Sequence, residues 1–159
     1  MGNAKMNTDD AINGSLGTCY ITYDGKRYNM FTLINVKAEG AINYGKVKSI
    51  GRLNEGRKAS GYALTWSAEG YYCNPLFKEI FMNFKRSGKN PTFDMQITNE
   101  DEASSAGRQV ALLKGCGMEK FLIAALDSSS DDPITESLSG FADDVEFPEK
   151  FSYVSGIEE

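Results

Sequence analysis

A chain of 159 residues, 41% of them hydrophobic, is long enough to bury one core without a disulfide or a metal to staple it. Its formal charge of −5 comes with no histidine at all, which removes the usual general base at neutral pH, the serine and cysteine triads and every histidine metal site. No run of roughly 18 apolar residues occurs, and residues 1–15 lack an apolar stretch, so neither a membrane span nor a signal peptide is expected and the protein is expected to be made and kept in a cytoplasm.

Cys19, Cys73 and Cys116 are odd in number and lack C-x-x-C spacing, a pattern that suits buried thiols better than a disulfide framework or a zinc site. The acids cluster in polar runs, Asn99-Glu100-Asp101-Glu102 and Ser130-Asp131-Asp132. These read as solvated loops, and neither has the order of a calcium loop. No catalytic residue, cofactor site or metal site is assigned. The charge is divided along the chain: residues 1–90 carry 13 Lys and Arg against 7 Asp and Glu, net +6, and residues 91–159 carry 4 against 15, net −11. If the fold keeps the halves on different surfaces, identical copies attract head to tail; if the halves interleave, the dipole cancels.

In chain order, residues 1–12 read as a flexible arm, residues 13–152 as one domain and residues 153–159 as a frayed tail. Cys19 to Tyr23 and Lys26 to Ile34 are strand-like runs about Asp24-Gly25, a hairpin signal. Residues 37–61 carry Gly40, Gly45, Gly51, Gly56 and Gly61 with few large apolar side chains, and are expected to be a long extended loop, functional or mobile. Tyr62 to Tyr72 returns as a strand with Tyr62, Leu64 and Trp66 on one face. Asn74-Pro75 opens a helix that Gly88 ends, with Leu76, Phe77, Ile80, Phe81 and Phe84 as its core stripe. Phe93, Met95 and Ile97 alternate as a strand, and Arg108 to Leu113 is extended. Gly115-Cys116-Gly117 is a turn or bulge, Phe121 to Leu126 fits either strand or helix, and Glu136 to Phe147 is extended up to Pro148. The sum is a mainly β, α+β fold: an antiparallel sandwich or barrel with one packed helix.

Gly51-Arg52-Leu53-Asn54-Glu55-Gly56-Arg57-Lys58 lies two substitutions from a phosphate-binding loop. That loop needs Lys then Ser or Thr where this chain has Arg57 then Lys58, and it must open a helix, whereas strand periodicity follows here. Its cations need another use. A β domain must also manage its edge strands, and pairing them with copies of itself is one solution.

The order of these features resembles tail tube proteins of contractile phage tails, phage-like prophage elements and R-type bacteriocins, particularly of Gram-positive bacteria. The matching stretches are Val47 to Arg52, Gly56-Arg57-Lys58, the strand Gly61 to Ser67, the helix Pro75 to Lys85, the strand Pro91 to Ile97 and Asp143 to Phe151. They span Asn13 to Phe151, and the N-terminal arm matches least well. The resemblance implies a structural subunit with no catalytic residues and no cofactor. Six copies would form a ring whose inner strands join, and rings would stack into a tube inside a sheath, ending on a baseplate or tail-tip initiator. DNA would pass through the lumen if the particle is a phage, or ions if it is a bacteriocin. Assembly would take place in the bacterial host cytoplasm, without membrane anchoring. It further implies that the loop 37–61 reaches a neighbouring subunit, with Lys46, Lys48, Arg52, Arg57 and Lys58 at that interface. The competing readings are a nucleic-acid-binding β module that uses residues 46–58 on phosphates and, further off, a carboxylate hydrolase.

Overall fold

A computed structural model describes residues 5–154 and 156–158. Strands β1 (Gly17–Tyr23) and β2 (Lys26–Asn29) pair across Asp24-Gly25. Asp24 and Gly25 have φ of 52° and 77°, the doubly left-handed turn whose twist suits a two-residue hairpin. The chain then forms β3 (Leu33–Val47), β4 (Gly56–Tyr71), α1 (Leu76–Ser87), β5 (Phe93–Glu100), β6 (Arg108–Lys120), β7 (Thr135–Ala142) and β8 (Asp144–Glu149). Every strand pairing is antiparallel. The fold is mainly antiparallel β with one α-helix.

The residues group into two compact units. The first comprises Met1–Thr32, Thr92–Cys116 and Asp144–Glu159. Its strands lie in the order β2-β1-β5-β6, with β8 on β6. Ile21 faces Met95, which faces Leu113, and all three are buried. Gly115-Cys116-Gly117 lies inside β6: between the pairs Met95↔Leu113 and Phe93↔Cys116 β6 carries one extra residue, and Gly115 takes φ 64°. That is a bulge, and the Gly115 amide donates to Asp94 Oδ1 at 3.2 Å.

Of the segment expected to be a flexible arm, residues 1–4 lie outside the described residues, and residues 7–13 are tied down. Asn7 Oδ1 accepts from the Asp9 amide at the head of a short 3-10 turn, Thr8–Asp10. Asp10 Oδ1 accepts from the Ser105 hydroxyl at 2.6 Å and amide at 2.9 Å, and the Asn13 amide donates to Asp101 Oδ2 at 3.1 Å. The Ser105 hydroxyl, then its amide, holds the Asp10 carboxyl below the usual range.

The second unit comprises Leu33–Pro91 and Gly117–Asp143, with β3-β4-β7 and the end of β6 as its sheet. Glu136, Leu138, Gly140 and Ala142 alternate inward along β7, opposite Gly70, Ala68, Trp66 and Leu64 of β4. Trp66 lies over a glycine because nothing larger fits. A Cβ on Gly140 would stand 1.9 Å from the Gly117 carbonyl oxygen and 2.9 Å from Trp66 Nε1. With that space open, the indole N–H donates to the carbonyls of Gly117 at 3.1 Å and Phe141 at 3.2 Å. Helix α1 begins where Asn74 Oδ1 accepts the Leu76 amide and ends at left-handed Gly88, whose N–H reaches Phe84 O at 2.8 Å. Lys78 Nζ is salt-bridged to Glu136, only 3% exposed, which fastens α1 to β7.

Several elements differ from expectation. The segment expected as a loop over 37–61 is β3 to Val47 and β4 from Gly56, with a turn over 48–55 between them, and Leu33-Ile34 open β3 instead of closing β2. Phe121 to Leu126 is neither strand nor helix, although Phe121 packs on Phe81 with ring centroids 5.0 Å apart. Glu136 to Phe147 divides into β7 and β8, and Pro148 lies inside β8 where its register with β6 shifts, a position a proline tolerates. In the helix stripe Leu76, Phe77 and Ile80 are buried, Phe81 is half-buried and Phe84 is 43% exposed. Cys19 and Cys116 are buried, the Cys19 thiol being pushed up to about 12 by burial, whereas Cys73 is exposed.

Three outcomes follow from these contacts. Gly140→Ala meets backbone on β6 that cannot move aside, and chemical denaturation should register a loss of about 3 kcal/mol. Lys78→Met strands the buried Glu136 carboxylate and should cost about 3 kcal/mol, most of it recovered when Glu136→Leu is added; a double variant as unstable as the single one would contradict the pairing account. Asp10, whose pKa is lowered in the fold, holds the residue 7–13 segment above the ordinary carboxylate range and releases it as pH falls through its folded value. The protection of the Ser105 amide, its exchange rate divided into the intrinsic rate at the same pH, should therefore fall on acidification, and the fall should be blunted in Asp10→Asn, which keeps the acceptor without the titration.

Candidate functional site

The sequence supplies β3 and β4 with β-branched and aromatic residues at alternate positions and no proline. The two strands pair from Leu33↔Gly70 to Val47↔Gly56, whereas β7 follows β4 only as far as Leu64↔Ala142. Past that point β3 and β4 form a two-stranded ribbon with no third strand. From Leu64 to Gly56 it runs about 25 Å at roughly 3.3 Å per residue. Its glycines are accommodated in the ladder: Gly40, Gly45, Gly56 and Gly61 pair with Leu64, Lys58, Val47 and Asn43, and of the five only Gly51, in the turn, has a positive φ, 86°. Ser60 is an extra residue at a bulge, and its hydroxyl donates to Asn43 O at 3.1 Å.

The ribbon has two unlike faces. Gly40↔Leu64 and Ala38↔Trp66 lie on the face that is buried nearer the sheet, and Ile42↔Tyr62, Tyr44↔Ala59 and Lys46↔Arg57 continue that face outward. Ile42, Tyr44 and Tyr62 are 59%, 57% and 58% exposed. The opposite face is polar, with Lys37 Nζ 2.6 Å from Glu39 Oε1, an exposed pair that raises the lysine pKa. The turn carries Ile50 and Leu53, both fully exposed, beside Gly51.

The five cations assigned from sequence do not form one patch. Lys46 and Lys48 both reach Glu55, at 3.7 and 3.3 Å. Arg57 shares the apolar face with Lys46, Lys58 lies on the other face, and Arg52 sits in the turn. Arg52, Arg57 and Lys58 have no ion pair among the described residues. The stretch that resembles a phosphate loop runs through this turn into β4, so no helix N-terminus stands behind it. Among the described residues no cluster of three His, Cys, Asp or Glu is placed to hold a metal, and no helix is long and apolar enough to cross a membrane.

Magnitudes rank the parts of this surface. Covering the exposed remainder of Ile42, Tyr44 and Tyr62 contributes about 1 to 1.5 kcal/mol each, half the value for full burial. An exposed ion pair contributes about 0 to 1 kcal/mol. The apolar face therefore outweighs the cations; sequence reasoning places Tyr62, Leu64 and Trp66 on one strand face but does not set Ile42 and Tyr44 beside them. The signal of the face was present as Ile42-x-Tyr44 and Tyr62-x-Leu64-x-Trp66, two alternating runs that meet in register.

The chain is 26% identical over 147 residues to the phage-like element PBSX protein XkdM of Bacillus subtilis (strain 168), covering 92% of this chain and 97% of that protein. A chain in the six-fold symmetrised structure of the anti-feeding prophage baseplate shares the fold at TM-score 0.67 and 13% identity, over 89% of this chain and 97% of that one. The SPP1 tail tube shares it at TM-score 0.63 and 8% identity, over 89% and 81%. The family described as phage tail tube protein matches residues 4–149. On that match the chain belongs to the phage tail tube protein family, a family of structural proteins and not of enzymes.

Proposed function

We propose that this tail tube protein is the repeating subunit of a tube made of stacked hexameric rings, and that the β3–β4 ribbon is the element by which one copy grips the next. The observation that carries the reading is the exposed apolar face at Ile42, Tyr44 and Tyr62. A lone two-stranded ribbon is at best marginally stable in water, and this one extends a core face past its own sheet. Seated on another copy, the same side chains become interior. β3 on the second unit and β2 on the first each end the strand order with one side unpaired, which leaves backbone groups for lateral joining.

Six copies per ring is supported by the six-fold symmetry of the anti-feeding prophage baseplate, in which a chain of this fold occurs. Around such a tube the partners are a sheath outside and a baseplate or tail-tip initiator at one end, with DNA or ions in the lumen. Assembly takes place in the host cytoplasm before the tube joins the particle. A passage for DNA requires a wall that does not hold a polyanion, so an acidic or near-neutral lumen belongs to the same reading.

Ile42→Asp with Tyr62→Asp tests it. Both side chains are exposed in the single chain, so the melting temperature should change little. Sedimentation and negative-stain microscopy should show the variant as subunits under conditions where the unaltered protein forms rings or tubes. Normal tubes from the folded variant would overturn the role given to the ribbon.

A further inference from the structure

Resting on the tube reading, we propose a receptor for the ribbon: its basic tip enters, end-on, a groove in the first unit of a neighbouring copy. The groove has a volume of about 510 Å³ and is lined by the start of β1 at Leu16 to Thr18, the end of β5, the Asp101-Glu102 turn and Arg108. Two of its charged groups are already engaged. Asp101 accepts the amides of Asn13 and Ala103, at 3.1 and 3.0 Å, and Arg108 Nε lies 3.5 Å from Glu149. Glu100 and Glu102 have no ion pair among the described residues. Glu100 stands opposite Arg108 across β5 and β6, and the groove is acidic on balance, with Glu100, Asp101 and Glu102 against Arg108, beside Leu16, itself 42% exposed.

The ribbon tip is the complement. Lys46 and Lys48 share Glu55, which leaves Arg52, Arg57 and Lys58 uncompensated, one in the turn and one on each face. Ile50 and Leu53 project between them, fully exposed. A ribbon lying flat on a partner uses the charges of one face. Cations on both faces with apolar side chains at the apex suit insertion into a concave acidic site with an apolar residue on its wall. The apolar face at Ile42, Tyr44 and Tyr62 then lies against the partner outside the groove. The occupant is a second copy, because within one chain the tip cations are unpaired and the groove is acidic on balance.

The test is a charge exchange. Arg52→Glu, Arg57→Glu and Lys58→Glu together should cut tube length at least tenfold, and so should Glu100→Lys with Glu102→Lys in an otherwise unaltered chain. Combining both sets in one chain should restore at least half the original length, because each acidic tip then meets a basic groove. Melting curves identify any variant that fails to fold, in which case Glu100→Gln with Glu102→Gln replaces the groove reversal and should still shorten the tubes. Full-length tubes from a groove variant, or a combined variant no better than either parent, would overturn the docking while leaving the tube reading standing. An unaltered protein that forms neither rings nor tubes at any concentration would overturn both. Filter binding of double-stranded DNA to the same proteins adds a separate outcome: lost DNA retention with unchanged tubes in the tip variant would assign the cations to nucleic acid and reject the groove.

Discussion

An amphipathic two-stranded ribbon cannot bury its own apolar face, and the arrangement of this chain turns on that constraint. Where β7 accompanies β4, the face that carries Trp66 and Ala68 is interior. Where β7 stops, the same face continues through Tyr62 and Ile42 into water. The register that fixes which side chains lie inward near the sheet also fixes which are offered outward, because a slip of one residue would exchange the faces along the whole ribbon. On the proposed assembly, one pattern of alternation serves both folding and the contact between copies.

The base of the ribbon is held by contacts that leave little freedom. Trp66 needs Gly140 opposite it and the carbonyls of Gly117 and Phe141 beyond its indole, so β4, β7 and the end of β6 meet at a single tightly packed place. The salt bridge of Lys78 to buried Glu136 ties α1 to the same sheet. Buried ion pairs add little net stability compared with an apolar pair of the same volume. Their effect here is positional, because among the described residues Glu136 pairs with one cation, Lys78, and that cation lies on α1.

Much of the fold was legible in the sequence where a local signal had a single meaning. Asp24-Gly25 demanded a left-handed turn, Asn74-Pro75 and Gly88 bracketed the helix, and alternation in Phe93 to Ile97 gave β5. The ribbon was misjudged as a loop because glycine was read only as a breaker. Four of its five glycines lie in the ladder opposite larger side chains, a cross-strand relation invisible until the register is known. For the same reason the cations stood out at the candidate site while the apolar residues did not: charge is legible one residue at a time, but an apolar face exists only once two strands are aligned. Phe121 to Leu126 shows the converse, an apolar run without regular structure in which Phe121 packs on Phe81 while Ile123 and Leu126 stay exposed.

The central claim is that the outer ribbon changes from solvent-exposed in the subunit to buried between copies in the tube. Amide hydrogen exchange over residues 41–63, compared between dilute subunits and assembled protein, measures this directly. The account predicts exchange slowed by at least a hundredfold across both strands and the turn on assembly, while amides at the Trp66 end of β4 change little. Equal exchange in the two states, in a preparation that microscopy shows to be tubes, would contradict it.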